Sequence, residues 1–294
     1  MGDEETSRVN IAAGIVTYNP DIEDIKASVP RLMRQVQCVV VVDNGSDNVA
    51  QIEAELAPYE RVVLLKNAGN LGVAAALNRV FEWSRGHGYD WVLTLDDDSQ
   101  IPEDMVEKYG SELRGRMDGR HPRVGIVCPL LKNRRDGTVF HSKRSRDECI
   151  TSGSLTSVAG WEAVHGFDEW LFIDGVDFDF SRRLVAAGYE LVECSDVVMP
   201  HQIGESRSIH VLGHHPIIWN HAAFRQYYIQ RNNPYIDYKL GTYSYLGSLR
   251  RMLTDMLFVI VGERDRPAKI RAMLRGWKDG QRKIRAMRGA KVRG

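Results

Sequence analysis

The chain lacks what would mark it for the bilayer interior, for secretion or for a zinc-built scaffold. No apolar run approaches the roughly 18–20 residues that span a membrane. The longest candidate, Met252 to Val261, is short and carries Asp255. Only four cysteines occur in 294 residues, at 38, 128, 149 and 194. They are scattered without metal-type spacing, and Cys38 and Cys128 lie in apolar surroundings, as core thiols of a reducing cytosol do. The acidic start, Met1-Gly2-Asp3-Glu4-Glu5-Thr6, has no apolar stretch of the signal-peptide kind, so a cytoplasmic location is expected. Internal repeats and low-complexity segments are absent. So is net charge, because Lys+Arg and Asp+Glu both number 39.

What is present is uneven. With 43% hydrophobic residues the chain can bury a substantial core. From Leu249 to Gly294 there are 14 Lys/Arg and 4 Asp/Glu, whereas residues 1–248 carry 25 basic and 35 acidic side chains. A basic tail of this kind suits an anionic partner surface. The expected organisation is an α/β domain over 1–225 and a helical, basic C-terminal extension over 226–294.

Ile11 to Thr17 reads as a strand, and Asp21 to Gln35 as a helix with Ile22, Ile25, Val29 and Leu32 on one face. Cys38 to Val42 is a continuous β-branched run, as in a strand covered on both faces. A helix from Val49 to about Ala57, a strand at 62–65, a helix from Val73 to about Arg85 and a strand from Trp91 follow. Repeated strand–helix units predict an open, mostly parallel sheet with helices on both faces. Ligands of such sheets bind beyond the C-terminal strand ends, so Thr17, Asp43, Asn67 and the run Asp96-Asp97-Asp98 should line one crevice. Further on, 125–131 reads as a strand, 133–147 as a loop, 156–165 as a short helix, Asp177 to Ala187 as a helix and Leu191 to Cys194 as a returning strand.

Three adjacent carboxylates after a buried strand repel one another, which raises at least one pKa unless a cation sits among them. Mg²⁺ or Mn²⁺ is the usual remedy, bound through one or two carboxylates and substrate phosphates. A solvated acidic turn is the alternative. Asp43 suits a base N–H or ribose hydroxyl, and equally an Asx-turn in Asp43-Asn44-Gly45-Ser46. Asn70 stands before a helix start that offers free N–H groups to a phosphate, or it simply caps that helix. Asp174, Asp177 and Asp179 cluster at another helix start, where one of them can serve as a general base. No Gly-rich, Arg/Lys-containing loop follows the first strand, which disfavours a nucleotidyltransferase.

In order, these pieces resemble a family-2 glycosyltransferase with the GT-A fold. The matching residues are Val16-Thr17-Tyr18-Asn19, Val42-Asp43-Asn44-Gly45-Ser46, Asn67-x-x-Asn70-x-Gly72 with Asn78, and the Asp-x-Asp element Asp96-Asp97-Asp98. Thr151-Ser152-Gly153, Gly166-Phe167-Asp168-Glu169, Phe172-Ile173-Asp174-x-Val176-Asp177 and His201-x-x-Gly204 complete the set. The Phe172–Asp177 stretch and Arg225-x-Tyr227-Tyr228-x-x-Arg231-Asn232 resemble the rhamnosyltransferase branch, which builds bacterial cell-surface polysaccharides from dTDP-L-rhamnose. Galactofuranosyltransferases using UDP-galactofuranose are a competing match, and a non-catalytic nucleotide-sugar-binding protein is an alternative of another class. The resemblance implies donor binding by Thr17, Asp43, Asn70, Asp96, Asp97, Gly153 and Arg231. It implies a Mg²⁺ or Mn²⁺ ion on Asp98, with Asp96 and His201, and Asp177 as the catalytic base of an inverting displacement. Many relatives have an acidic pair where this chain has Val176-Asp177, so only the second acid carries over. The implied partners are the nucleotide-sugar and a glycan or lipid-linked glycan acceptor, with no nucleic acid. In the tail, Ile270, Leu274 and Trp277 flanked by Lys269, Arg271, Arg275 and Lys278 form an amphipathic stripe. It suits an anionic membrane surface or docking on the domain.

Overall fold

A computed structural model describes residues 9–116, 123–134, 137–201, 207–208, 217–218 and 220–291. Four strand–helix pairs open the chain: β1 (Ile11–Thr17) and α1 (Ile22–Met33), β2 (Cys38–Asp43) and α2 (Val49–Leu56), β3 (Val62–Lys66) and α3 (Val73–Gly86), β4 (Trp91–Asp96) and α4 (Met105–Arg114). The apolar periodicity predicts the first three pairs; α4 lies in a stretch it leaves unassigned. Then come β5 (Val124–Asn133), the short strands β6 (Val139–His141), β7 (Lys143–Ser145) and β8 (Glu148–Cys149), and β9 (Ser154–Ser157). The helices α5 (Val158–Ala163) and α6 (Val176–Ala186) and the long strand β10 (Glu190–His201) follow.

The main sheet runs β10-β5-β9-β4-β1-β2-β3, with β6 added beside β5. β3, β2, β1 and β4 are parallel, while β9 is antiparallel to both β4 and β5. This is a GT-A-like mixed sheet flanked by helices. Register aligns the strand ends that matter, because Thr17 pairs with Asp43 and Val16 with Asp96. β2 is buried along its whole length, whereas β3 is a half-exposed edge. On α1, Ile25, Val29 and Leu32 enter the core, each worth roughly 1.5–3 kcal/mol of burial. Gly14 on β1 lets α3 lie close, since a Cβ there would sit 2.4 Å from Val80 Cγ1. All four cysteines are buried and unpaired.

Two expectations are revised locally. The short helix read over 156–165 is present as α5, but residues 156–157 belong to β9, whose Ser157 hydroxyl caps α5 by accepting from the Gly160 N–H at 3.1 Å. A four-residue strand is too short to show alternation, and its hydrogen bonds come from β4 and β5, far away in sequence. The stretch 133–147, read as a loop, likewise supplies β6 and β7 through non-local pairing.

The chain forms two compact units, one of Met1–Phe172 with Val176–Gln202, the other of Ile173–Gly175 with Ile203–Gly294. The expected division at 225/226 falls inside a helix of the second unit. That unit contains the paired strands β11 (Arg207–Ser208) and β12 (Ile217–Ile218) and the helices α7 (Ala223–Lys239), α8 (Tyr245–Gly262) and α9 (Arg266–Lys291). α9 docks closely on α7 at Gly276 and Gly280, where a Cβ would lie 2.1 Å from the Tyr227 carbonyl oxygen and 2.5 Å from that of Arg231. Ala272, Met273 and Ile284 are buried on α9, whereas Leu274 of the expected stripe stays 37% exposed. Trp277 is half-buried and donates to Ser248 Oγ at 3.3 Å. No helix among the described residues is long and apolar enough to cross a membrane.

Candidate active site

The site is built at the C-terminal ends of β2, β1 and β4. Asp43 is buried, and its carboxylate is held by three donors: Thr17 Oγ1 at 3.2 Å, and the Gly45 and Ser46 N–H groups at 3.1 Å each. The Asx-turn is therefore real. An ionised carboxylate has about four acceptor positions, so capacity remains for one further donor. Thr17 is fully buried with its hydroxyl committed to Asp43.

Asn44 organises the neighbouring loop. Its Oδ1 accepts from Asn67 Nδ2 at 2.9 Å and the Leu71 N–H at 3.0 Å, and its Nδ2 donates to Asn70 Oδ1 at 3.1 Å. Asn70 Oδ1 also accepts from the Gly72 N–H at 3.0 Å. Asn70 does not occupy the cap position of α3; Gly72 does, at φ 88°. Nor are the first N–H groups of α3 available to a phosphate, since Val73 and Ala74 donate to the Phe172 carbonyl at 2.7 and 3.5 Å. A Cβ on Gly72 would meet Phe172 at 2.6 Å.

Of the three aspartates at the C-terminal end of β4, Asp96 and Asp98 are exposed and Asp97 is half-buried. Burial first, then the charges of Asp96 and Asp98, push the Asp97 carboxyl up to about 6 against the relief of a hydrogen bond from the Tyr18 backbone. The shift thus falls on the middle residue, chiefly through burial, with like charge added. Arg134, at the end of β5, donates from Nη2 to the Asp98 carbonyl oxygen at 2.6 Å, bringing a guanidinium to the turn. Among the described residues no group of three or more His, Cys, Asp or Glu is arranged to hold a metal ion. The His201 side chain lies outside those residues; its backbone pairs with Asn133, beside Arg134.

Residues 151–154 tie this turn to α6. The Asp96 N–H donates to Ser99 Oγ at 3.1 Å, and Ser99 Oγ is 3.3 Å from Ser152 Oγ. Thr94 Oγ1 donates to the Thr151 carbonyl at 2.6 Å, and Thr151 Oγ1 donates to Asp177 Oδ1 at 2.9 Å. Gly153, at φ 76°, spends its N–H on the Thr94 carbonyl and its own carbonyl on the Tyr109 hydroxyl. Its geometry is that of a turn, with Met199 Sδ 2.7 Å from where a Cβ would be. Just before α6, Phe172 and Asp174 adopt φ of 62° and 60°, a conformation side chains resist.

Asn78 belongs to the scaffold of this region. Buried on α3, it accepts from Trp161 Nε1 and the Phe167 N–H at 3.0 and 2.8 Å, and donates to the Phe167 carbonyl and Glu169 Oε1 at 2.9 Å each. Asn78→Ala would orphan buried donors, so a loss of roughly 2–3 kcal/mol is expected, seen as a melting midpoint lower by roughly 5–10 °C. A cavity of ≈ 500 Å³ beside it, lined by Glu82, Arg85, Trp161, Glu162, His165 and Glu169 among others, contains none of the residues nominated for donor, metal or base.

Arg231 lies in the second unit, on α7. Its guanidinium sits 4.4 Å from the Tyr228 ring centroid, and its Nε donates to Asn232 Oδ1 at 2.9 Å. Asn232 in turn donates to the Ile173 and Asp174 carbonyls, and Arg225 pairs with Asp174 at 2.8 Å. The sequence reading overlooks Arg134, Ser99 and Ser152. Only Ser152 carried a signal, through its place in Thr151-Ser152-Gly153.

The fold is of the GT-A type. Residues 13–145 match the family described as Glycosyl transferase family 2. The chain is 30% identical over 240 residues to "dTDP-rhamnosyl transferase RfbF" of Shigella flexneri, across 76% of this chain and 78% of that protein. It belongs to the family-2 glycosyltransferases and is related to that transferase. In fold it is similar to S. aureus TarS 1-349 in complex with UDP-GlcNAc, with TM-score 0.54 and 15% identity over 94% of this chain and 83% of that one. GalNAc-T7 with UDP, GalNAc and Mn2+ gives TM-score 0.52 at 12% identity, over 78% of this chain and 50% of that one.

Proposed function

We propose that this chain is an inverting, metal-dependent transferase that moves L-rhamnose from dTDP-L-rhamnose to a hydroxyl of a glycan or lipid-linked glycan in bacterial cell-surface polysaccharide synthesis. The choice of sugar is supported by the 30% identical relative, whose name is that of a dTDP-rhamnosyl transferase. One observation carries the mechanism: a hydrogen-bonded path from Asp96 through Ser99 and Ser152 to the 151–154 turn, and from Thr151 to Asp177. It makes the acidic turn and the base parts of one framework.

In this reading Asp43, held by Thr17, Gly45 and Ser46, accepts from the nucleotide base or ribose. Asn70 and Asp97 line the same donor crevice. Asp98 and Asp96, exposed and purely oxygen-bearing, suit Mg²⁺ or Mn²⁺, hard cations that complete their shell with substrate phosphates and water. The like-charge push on Asp97 is what a cation at this turn would relieve. His201 is a further ligand candidate. When bound, such an ion neutralises the charge that develops on the leaving diphosphate.

Asp177 takes the proton of the acceptor hydroxyl as its oxygen bonds to the anomeric carbon, while the bond from that carbon to the diphosphate oxygen breaks on the opposite face. One displacement inverts the configuration and needs no covalent nucleophile. Thr151 orients the carboxylate through its 2.9 Å hydrogen bond. Thr151→Val should therefore lower kcat by about tenfold with little change in KM, with Thr151→Ser restoring it. The protein works in the cytoplasm, where its basic extension meets an anionic membrane carrying lipid-linked acceptors.

The test is a panel of dTDP- and UDP-sugars with Mg²⁺ or Mn²⁺, read by thermal shift. At about a hundred times its Kd the true donor stabilises by about 2.7 kcal/mol. Stabilisation by dTDP-L-rhamnose supports the proposal, and stabilisation by UDP-sugars alone overturns the choice of donor.

A further inference from the structure

Among the described residues α8 is packed on one side only. Ser248, Met252 and Val259 are buried, and Asp255, the helix's one acid, turns to Gln230 Nε2 at 2.6 Å. The opposite side exposes Leu246 (74%), Leu253, Leu257 (58%), Phe258, Ile260 and Val261. A contiguous apolar strip of this kind marks an interaction surface.

Within the helix the exposed charges are basic. Arg250 stands exposed within the strip and no acid lies among the exposed residues of the helix, while just beyond its C-terminal end the exposed Arg264 and Arg266 flank one exposed acid, Asp265. The helix is not long and apolar enough to span a bilayer, yet it is about 27 Å long and suited to lying in the plane of an interface. Arginine at such a depth reaches back to headgroup phosphates along its apolar stem. Two-fold pairing with a second copy would instead set Arg250 against a like-charged strip and bring two strongly basic segments together. Anionic lipid relieves both.

We propose that the open face of α8, rather than the Ile270-Leu274-Trp277 stripe of α9, is the surface that enters an anionic bilayer interface, with Leu246, Leu253, Leu257 and Phe258 at the acyl boundary and Arg250 among the phosphates. This rests on the membrane reading above for its occupant, and adds the element that inserts. The α9 stripe is unsuited because α9 is docked on α7 through its glycines and Trp277 is bonded to Ser248.

The experiment uses the full chain with vesicles of phosphatidylcholine, with and without phosphatidylglycerol. Environment-sensitive fluorophores are placed on Leu257→Cys or, separately, Leu274→Cys; the native cysteines are buried. Expected are binding to the anionic vesicles, a blue shift from position 257 larger than from 274, and about tenfold or greater loss of binding in the Leu253→Glu/Leu257→Glu double variant. Vesicle binding that survives the double variant, with the shift at 274 alone, overturns the role of α8 and leaves the membrane reading intact. Absence of binding to anionic vesicles overturns both. A vesicle-free dimer that the double variant converts to monomer by sedimentation velocity also overturns the proposal, in favour of a second copy on this face.

Discussion

Asp177→Asn should reduce turnover by about 10²–10⁴-fold while nucleotide affinity stays nearly unchanged. The substitution keeps the shape of the side chain and can keep an acceptor for the Thr151 hydroxyl, which now lies 2.9 Å from the carboxylate. It removes the ability to take a proton. Because α6 is anchored by buried Val176, Phe180 and Leu184, the fold should survive, and the loss should appear in kcat with little change in KM. Equal turnover by the variant would remove Asp177 from the mechanism. Such a result would favour a nucleotide-sugar-binding protein only if wild type is itself inactive.

Asp98→Asn should have the second large effect. If Asp98 is the main protein ligand of a divalent ion, as proposed, the Mg²⁺ or Mn²⁺ concentration for half-maximal activity should rise by about tenfold or more. Turnover at saturating donor should fall by about 10²-fold or more. Calorimetric titration of the metal with dTDP present separates this from misfolding. Asp97→Asn should raise stability above about pH 6, since it relieves a carboxyl that burial, and then two like charges, hold at about 6; it should leave the metal requirement in place. Wild-type metal dependence in Asp98→Asn would move the ligand elsewhere.

Much of this was readable from sequence because the physics is local. The β-branched run at 38–42 could only be a strand covered on both faces, and α1 declared its buried face by spacing. The Asp43–Ser46 cluster announced its turn, and the acidic run announced its electrostatic frustration. What escaped is what depends on distant partners. β9 takes its identity from ladders to β4 and β5. The N-terminus of α3, which by sequence offers N–H groups to a phosphate, is closed by the Phe172 carbonyl roughly a hundred residues on. Arg134 lies in a stretch with no pattern of its own and matters only because the fold brings it to Asp98. The tail was legible as basic and amphipathic, and the stripe visible by spacing is partly open, with Leu274 37% exposed and Ile270 and Trp277 half-buried. α9 buries neighbouring positions through Gly276 and Gly280, and the open apolar surface belongs to α8.

The most direct test of the central claim is release of dTDP from dTDP-L-rhamnose by the full chain with Mg²⁺ or Mn²⁺, measured beside UDP-galactofuranose and repeated with Asp177→Asn and Asp98→Asn. The account predicts metal-dependent turnover of dTDP-L-rhamnose that both variants lose, with UDP-galactofuranose left intact. Turnover of UDP-galactofuranose with dTDP-L-rhamnose untouched, or turnover indifferent to both substitutions, would contradict it.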